Sequence, residues 1–318
     1  MQITPLAHAL SSVVLGPEIP FRNLLMFPIL SGPPPAGADR PLDYLTLDDA
    51  MAEGRVEVTE VSEAGSVPEL RVINRADKPT LIVDGEELVG AKQNRVVNLT
   101  ILVAARSTLT VPVSCVEAGR WRARTRAFAS APRAQYASGR ASRMSQVTAS
   151  MLHGGTRRSD QAQVWAEIAA KSARLKSVSP TGAMEAMFEA HAAVLEAAVA
   201  ACRPVDRQVG ALFVVAGRVV GFDLFDSERT LRKILPKLVR SAAVDALDAD
   251  SLGARPPEKP FPVRQAAEHF VARVRDVQPH TAPAVGLGHD LRFSAEGLTG
   301  AALAAEGRIV HIAAFSVT

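Results

Sequence analysis

Five short stretches of β-type sequence follow one another between Arg55 and Cys115, and polar or turn-forming residues separate them. In chain order they are "RVEVTEV", "ELRVIN", "TLIV", "RVVNLTILV" and "STLTVPVSC". The first stretch alternates polar and apolar residues, as a strand with one buried face does. The series predicts a β-rich region of short antiparallel strands that ends near residue 117.

Two segments that precede this series carry signals of their own. "SGPPPAGADRP" at residues 31–41 is too rich in proline and glycine to pack as a helix or a strand, so we expect an exposed loop. "LTLDDAMAEG" at residues 45–54 predicts one short helix just before the sheet.

The hydrophobic period changes at Asp160. Asp160 and Gln163 have the spacing of a helix N-terminal capping box, and the residues that follow predict one apolar helix face. These are Val164, Trp165, Ile168 and Leu175. A second helix is expected to begin at "SPTGAM", with Ser179 as the cap and Pro180 in the first turn. Its predicted buried face consists of Met184, Met187, Phe188, His191, Leu195, Ala198 and Cys202.

The last third of the chain mixes strands and helices. "QVGALFVVAGRVVGFDLF" predicts a hairpin around Ala216 and Gly217, and a long helix should follow from Ser227. Residues 249–262 have the composition of a linker, and an apolar stripe from Val263 to Val274 then predicts another short helix. The tail contains three apolar runs separated by Glu-Gly pairs, which predict a three-stranded meander.

Together these elements predict an α+β fold. We divide the chain into a β-rich region at 1–117, an arginine-rich connector at 118–159 and an α+β region at 160–318 that could continue the first domain. With 47% hydrophobic residues, the 318-residue chain can fill one large core or two modest ones.

Charge and hydropathy favour a cytoplasmic protein without membrane contacts. The first 21 residues lack the basic region of a secretion signal, and no uncharged apolar run reaches the roughly 18 residues that a membrane span requires. Cys115 and Cys202 lie far apart and have no metal-binding spacing. The net charge of +3 by itself says little about partners, and the sequence does not give the oligomeric state.

The connector is unusual because residues 118–159 contain nine arginines but no acidic residue and no lysine. The planar guanidinium group suits phosphate and carboxylate oxygens. Three interpretations follow: a site for a diphosphate-bearing small ligand, a nucleic-acid surface, or internal salt bridges to the acidic strand region. The nucleic-acid interpretation is the less specific one, because only three aromatic residues, Trp121, Phe128 and Tyr136, occur among these arginines.

A dense polar cluster lies between two of the predicted strands, in "VDGEELVGAKQNRVV". Glu86 and Glu87 are adjacent, so on a strand they point to opposite faces, and only one of them can face a given pocket. Four residues with donor groups follow them: Lys92, Gln93, Asn94 and Arg95. Gly85 and Gly90 would allow a ligand to approach the backbone closely. The competing interpretation is an exposed polar loop.

The second cluster is "SCVEAGRW" at residues 114–121. Cys115 is expected to be a small core residue, since no histidine lies near it in sequence to activate a thiol. Glu117 and Arg120 are better site candidates, and Trp121 could stack a base or anchor the chain. Arg122 and Arg124 follow as further candidates for binding a ligand.

The sequence offers one weak metal candidate. Asp223 and Asp226 lie between a predicted strand and a helix, where two carboxylates could hold a divalent cation through bound waters. Asp226 beside Ser227 is also what a helix N-terminus favours, and we prefer that interpretation. No certain cofactor is indicated, and a divalent cation is the one that these residues suggest.

Several motifs resemble a known bacterial family. They are "VDGEELVGAKQNRVVN", "VPVSCVEAGRWRARTRAFASAPR", "SDQAQVWAEIAAK", "SPTGAM" and "VVGFDLFDSERTLRKILPKLVRSAAVDALD". In this order they are similar to the family named for its association with ADP-ribosylglycohydrolases and the rhodanese-phosphatase superfamily, over roughly residues 20 to 315. The resemblance implies a connection with NAD and ADP-ribose metabolism, and it transfers no catalytic residue.

From the residues and the resemblance together, we expect a protein that binds, and could hydrolyse, a phosphate-bearing NAD-derived or ADP-ribose-like nucleotide. Glu86 and Glu117 are the predicted catalytic carboxylates, one of them acting as a general base. The predicted ligand-binding residues are Glu87, Lys92, Gln93, Asn94, Arg95, Arg120, Trp121, Arg122 and Arg124. The alternative is a non-catalytic interaction module whose arginine-rich segment docks an acidic protein partner or RNA.

Overall fold

A computed structural model of the protein describes residues 4–32, 42–63, 65–254 and 262–317. Within these residues the chain forms eight helices and 18 strands, which confirms the predicted α+β class. Most of the predicted loop at 31–41 and part of the predicted linker at 249–262 lie outside the described residues. In the described part of the chain, no helix is both long and apolar enough to cross a membrane.

The elements are numbered in chain order. The helices are α1 (Pro5–Ser11), α2 (Leu47–Ala52), α3 (Ala137–Gly154), α4 (Gln161–Arg174), α5 (Glu185–Ala190), α6 (Ala192–Ala201), α7 (Glu228–Ser251) and α8 (Val263–Asp276). The strands of the first half are β1 (Val13–Leu15), β2 (Ile19–Phe21), β3 (Leu24–Ser31), β4 (Leu45–Thr46), β5 (Val56–Glu60), β6 (Glu69–Asn74), β7 (Thr80–Ile82), β8 (Glu86–Gly90), β9 (Arg95–Val97), β10 (Ile101–Val103), β11 (Ser107–Cys115) and β12 (Phe128–Ala134). The remaining strands are β13 (Gln208–Val215), β14 (Arg218–Phe225), β15 (His280–Pro283), β16 (His289–Ala295), β17 (Leu298–Ala305) and β18 (Arg308–Ser316).

The largest sheet has nine strands in the order β1-β3-β13-β14-β18-β17-β16-β15, and β2 pairs with β3 beside this path. Successive side chains of a strand point to opposite faces, and in this sheet both sets are apolar. Both faces are therefore buried, each under different helices. Phe27 and Phe222 pack in one core with α1 and α8, whereas Met26 and Phe213 pack in another with α4 to α7. Strands from the first and the last third of the chain therefore share one sheet.

The second large sheet has six strands in the order β12-β8-β9-β11-β6-β5. An isolated bridge between Thr59 and Ala127 brings the strand β5 next to the start of β12, so the two edges of the sheet meet. Its apolar side chains, together with those of α2, form a separate core that includes Val58, Leu88 and Val113. A small sheet, β10-β7-β4, lies against it, and its β4–β7 pair is parallel.

Most of the sequence-based elements are confirmed. Asp160 caps α4 through a hydrogen bond from the backbone N of Gln163, and Ser227 caps α7 in the same way through the N of Thr230. The hairpin β13–β14 and the meander β16–β18 are both present, with β15 as an additional strand. The stretch "RVVNLTILV" is divided into β9 and β10, which belong to different sheets.

The predicted start of the second helix was wrong. Ser179 does not cap a helix at Pro180; its Oγ accepts from the backbone N of Ala183 and closes a turn at 2.8 Å. The helix begins at Glu185, and a break at His191 divides it into α5 and α6. The glycine at 182 adopts a left-handed φ of 61°, which is incompatible with a continuous helix through "SPTGAM".

The segment 118–159, predicted as a connector, contains the strand β12 and the 18-residue helix α3. The helix packs against the nine-stranded sheet, and β12 pairs with β8 in the other. The segment therefore contributes a strand, β12, to the six-stranded sheet and a helix, α3, that packs on the nine-stranded sheet. The domain boundaries stay a prediction.

Candidate functional site

The two polar clusters of the sequence lie against each other. The backbone N of Asn94 donates to Glu117 Oε2 at 3.1 Å, and Gln93 Nε2 donates to the carbonyl of Glu117 at 2.9 Å. Arg120 in turn donates to the carbonyls of Gly90 and Ala91 in the turn between β8 and β9. Residues 90–95 and 115–121 thus form one polar cluster at the ends of β9 and β11.

Glu117 and Arg120 form the buried ion pair at the centre of this cluster. Arg120 donates from Nε to Glu117 Oε1 at 2.8 Å and from Nη2 to Oε2 at 2.6 Å. Thr181 Oγ1 also donates to Oε1 at 2.8 Å. Burial alone would raise the pKa of Glu117, but these donors hold that pKa below its usual value. Glu117 therefore remains ionised, and both of its oxygens are engaged.

Arg95 and Trp121 lie beside this pair. Arg95 is fully buried, and its Nη1 donates to Gln93 Oε1 at 3.0 Å. Its Nε and Nη2 have no hydrogen-bond partner among the described residues. The Trp121 side chain is 49% exposed, with Arg95 Cζ 5.8 Å and Lys92 Nζ 5.2 Å from its ring centroid. Two cations therefore lie within reach of one half-exposed indole, and the Glu60 carboxylate, which accepts from the backbone N of Lys92, offsets part of their charge.

Cys115 lies next to these cations but shows no sign of a nucleophile. Its Sγ donates to the carbonyl of Glu117 at 3.2 Å. Burial raises the pKa of the Cys115 thiol, although the charge of Arg95 opposes the shift. The group therefore stays a protonated, buried thiol.

Glu86 points away from this cluster. Its Oε1 accepts from Lys237 Nζ of α7 at 2.6 Å, and its Oε2 accepts from the backbone N of Val83 at 2.8 Å. Lys237 also binds Asp48 of α2 at 2.7 Å. The structure therefore places Glu86 in an ion pair between α7 and the sheet, and it does not bring Glu86 together with Glu117.

Glu87 points to the opposite face, as strand alternation requires. Its Oε2 accepts from Arg133 Nε, and its buried Oε1 has no hydrogen-bond partner among the described residues. Arg133 also donates to Glu185 Oε1 at 2.6 Å, and Asn94 Nδ2 donates to Oε2 of the same residue at 3.2 Å. Burial raises the pKa of Glu87 to about 7 despite the opposing charge of Arg133.

Arg158 and three arginines that lie close together in sequence face solvent. Arg122, Arg124 and Arg126 are exposed, and within the described ranges none of them forms an ion pair. They follow Trp121 directly in an irregular stretch before β12. Together with Lys92 and Trp121, we refer to these residues as the Trp121 surface.

Arg133, Arg140 and Arg143, further along the segment, are buried and paired with carboxylates. Arg140 of α3 donates from Nη1 and Nη2 to the two oxygens of Asp223, at 3.1 and 2.7 Å. Asp84 accepts from Arg140 Nε at 3.1 Å and from Arg143 Nη2 at 2.9 Å, and His311 Nε2 lies 3.1 Å from Asp223 Oδ1. Burial would raise the pKa of Asp223, but Arg140 and His311 hold it at about 2. The sequence signal for this network was the acidic residue Asp84, which directly follows the apolar run "LIV".

The two metal candidates do not meet. Asp223 binds Arg140 as described, whereas Asp226 accepts from the hydroxyl of Tyr44 at 2.5 Å. Burial raises the pKa of Asp226 to about 6. Ser227, and not Asp226, caps α7. No group of three or more His, Cys, Asp or Glu side chains placed to hold a metal ion occurs within residues 4–32, 42–63, 65–254 and 262–317.

Fold and cluster define an α+β protein in which arginine–carboxylate pairs connect two large sheets beside a cationic, tryptophan-bearing surface. The family model described as the ARG and Rhodanese-Phosphatase-superfamily-associated Protein domain matches residues 12–315. The chain therefore belongs to this family, as the sequence motifs indicated. The family's name records an association with ADP-ribosylglycohydrolase and rhodanese-phosphatase enzymes. No curated protein and no solved structure matches the chain significantly.

Proposed function

We propose that the protein binds a phosphate-bearing nucleotide of the NAD or ADP-ribose type at the Trp121 surface. The observation that carries the proposal is the half-exposed indole of Trp121, which has two cations within 6 Å of its ring. Directly after it in sequence come exposed arginines that form no ion pair with any residue that the structure describes. An indole with this exposure can stack a base, and guanidinium groups without carboxylate partners can bind phosphate oxygens.

Arg95 contributes charge from below the surface. A buried guanidinium with two nitrogens lacking partners is costly, so an anion near the surface would be attracted more strongly here than at an ordinary exposed arginine. Arg120 does not share this role, because six hydrogen bonds to Glu117, Asn94 and backbone carbonyls already engage its guanidinium group.

Binding is better supported than hydrolysis. A general base must be able to reach a proton of the substrate or an attacking water. Glu86 and Glu117 are each about 1% exposed, and their oxygens are engaged with Lys237 and with Arg120 respectively. Their catalytic roles remain predictions, and our proposal does not depend on them.

Isothermal titration calorimetry with ADP-ribose, NAD and adenosine tests the proposal. We expect the two phosphate-bearing ligands to bind and adenosine to bind much more weakly. Trp121→Ala should weaken binding by about tenfold or more, since stacking of one base contributes roughly 1–3 kcal/mol. The paired change Arg122→Ala with Arg124→Ala should weaken it to a similar extent at low salt, through loss of charge-assisted hydrogen bonds.

The matched control is Arg203→Ala with Arg218→Ala, which removes two exposed arginines outside the segment. This control should bind like the unchanged protein. If neither phosphate-bearing ligand gives heat with the folded protein, or if both double variants weaken binding equally, the proposed site is wrong.

The second candidate function is docking of RNA or of an acidic protein partner. The observation in its favour is that Arg122, Arg124 and Arg126 form an exposed cationic stretch without carboxylate partners in the described part of the chain. An RNA-binding surface predicts affinity that rises with oligonucleotide length and falls steeply with salt. A mononucleotide site predicts saturation at one equivalent and little dependence on length, so titration with ADP-ribose and with oligonucleotides of increasing length separates the two.

A further inference from the structure

A pocket of about 380 Å³ lies between α3, α4 and α7, and no part of it belongs to the Trp121 surface. Its walls are formed by Tyr136, Ser138, Ser142, Glu167, Ala170, Lys171, Arg174 and Asp248. The volume is within the range of small-molecule sites in proteins. The walls combine a few polar groups with a larger apolar surface, to which Ala170, the ring of Tyr136 and side-chain stems contribute.

The Tyr136 hydroxyl lacks a hydrogen bond. The side chain is 2% exposed, and its oxygen has no partner within the described residues. Burial raises the pKa of Tyr136, and the nearby carboxylates of Glu167, Asp245 and Asp248 raise it further. The hydroxyl therefore stays protonated and available to donate, on the side where these carboxylates lie. Buried tyrosine hydroxyls normally have a partner, so the missing one points to a ligand.

The charged groups around the pocket largely satisfy one another. Lys171 Nζ donates to Asp245 Oδ1 at 2.7 Å and to Asp248 Oδ2 at 2.6 Å. Arg174 donates from Nε and Nη2 to the oxygens of Asp248 at 2.6 and 2.8 Å. Two cations and two carboxylates form a neutral group here, so the pocket has no excess positive charge to attract a phosphate.

Three groups on the walls retain unused hydrogen-bonding capacity. Both hydrogen bonds to Glu167 reach Oε1, from Ser142 Oγ at 2.7 Å and from Gln163 Nε2 at 2.9 Å, which leaves Oε2 as an acceptor. Arg174 uses Nε and Nη2, which leaves Nη1 as a donor. The Tyr136 hydroxyl can donate or accept.

We propose that this pocket binds a neutral ligand with two adjacent hydroxyl groups, such as a ribofuranoside. One hydroxyl donates to Glu167 and accepts from Arg174, and the other exchanges a hydrogen bond with Tyr136. A hydroxyl group is a donor and an acceptor at once. A carboxylate that accepts from a diol and a guanidinium that donates to the same diol therefore together match its hydroxyl groups. A phosphate would meet the carboxylate of Glu167 without a compensating free cation.

Saturation-transfer NMR and calorimetry with methyl β-D-ribofuranoside test the proposal on the full chain. We expect saturable binding, and we expect methyl 2-deoxy-β-D-ribofuranoside, which lacks the diol, to bind at least tenfold more weakly. Inorganic phosphate should not compete. Tyr136→Phe removes only the hydroxyl and should weaken binding by about fivefold, as loss of one neutral hydrogen bond does. Glu167→Gln should weaken it by about tenfold.

Tyr44→Phe is the matched control, because Tyr44 is also a buried tyrosine but its hydroxyl is bonded to Asp226 in another pocket. This variant should bind the ribofuranoside like the unchanged protein. The proposal is overturned if the ribofuranoside does not bind, if the deoxy compound binds equally well, or if both Tyr136→Phe and Glu167→Gln leave the affinity unchanged. Unchanged affinity in these two variants would mean that the Tyr136 hydroxyl forms its hydrogen bond with an ordered water only.

Discussion

One arginine-rich segment supplies two regions of opposite character. Arg133, Arg140 and Arg143 are buried, and each donates to at least one carboxylate. Arg122 and Arg124, only a few residues earlier, face solvent and form no ion pair within the described ranges. The difference lies in the backbone: the buried arginines belong to β12 and α3, which pack on the sheets, whereas the exposed ones precede β12 in an irregular stretch.

The comparison shows that an excess of arginine does not identify a binding surface by itself. A buried guanidinium without a partner is costly, because an unpaired charge in the interior costs several kcal/mol. Once the inner arginines are assigned to Asp84, Asp223, Glu87 and Glu185, only the outer ones remain available to a ligand. Internal pairing therefore accounts for the inner arginines, and anion binding stays a proposal for the outer ones.

The largest expected effect is on the inner arginines. Asp84→Ala removes the carboxylate shared by Arg140 and Arg143 and leaves buried donors of both without a partner. We expect the free energy of unfolding to fall by about 3–5 kcal/mol, the usual cost of breaking a buried ion pair on one side. Urea denaturation monitored by circular dichroism measures it.

The control for this change is Asp43→Ala. Asp43 forms an exposed ion pair with Lys78 at 2.6 Å, and loss of such a pair changes stability by about 1 kcal/mol or less. A loss of under about 1 kcal/mol in Asp84→Ala as well would show that the inner arginines do not depend on their carboxylates.

A second, smaller effect concerns Glu87, the inner carboxylate with one unpartnered oxygen. Because burial raises its pKa from the ordinary 4.5 to about 7 in the folded protein, the folded state holds this proton more tightly than the unfolded state. The associated stability is fully present below about pH 4.5 and is lost as the pH rises through about 7. The shift corresponds to about 3 kcal/mol between these limits.

Glu87→Gln removes this titration, so the difference in unfolding free energy between the variant and the unchanged protein should move in favour of the variant as the pH rises from 4.5 to 8. Denaturation series at several pH values measure the difference. Glu189→Gln, on an exposed helix position, should show a change below about 0.5 kcal/mol at each pH. A flat difference for Glu87→Gln would mean that Glu87 is ionised throughout.

The smallest effect is expected on the outer arginines. The paired change Arg122→Ala with Arg124→Ala should alter the unfolding free energy by less than about 0.5 kcal/mol, since neither side chain is buried or paired in the described structure. The same variant is expected to lose nucleotide affinity. A loss of more than about 2 kcal/mol in stability would place these arginines with the inner group and remove the contrast.

The sequence predicts much of this fold because most elements carry their own periodicity or caps. Ser227 and Asp160 cap helices where expected, and the alternating run of β5 forms a strand. Other elements lack such a signal. The helix α3 buries Gly139, Arg140 and Arg143 beside an apolar stripe of mostly small residues, so its helical period is weak in the sequence. The arginines on that face can be buried because carboxylates of other elements pair with them.

The candidate site was predictable in part for the same reason. The sequence could indicate that Glu86 and Glu87 point to opposite faces, because alternation is a local rule. It could not indicate that Lys237 would pair with the first and Arg133 with the second, since these partners are distant in the chain. The unpaired Tyr136 hydroxyl was equally hidden, as it depends on the packing of three helices.

The order of strands in the nine-stranded sheet has a consequence for synthesis on the ribosome. The strand β3, at residues 24–31, pairs with β13, at residues 208–215, and the sheet is completed only when β18 has been made. The six strands between residues 56 and 134, by contrast, can pair with one another much earlier. An emerging chain therefore has only β1 and β2 as sheet partners for the apolar β3 while the second sheet can already close, so the edge of β3 that later pairs with β13 stays open during most of synthesis.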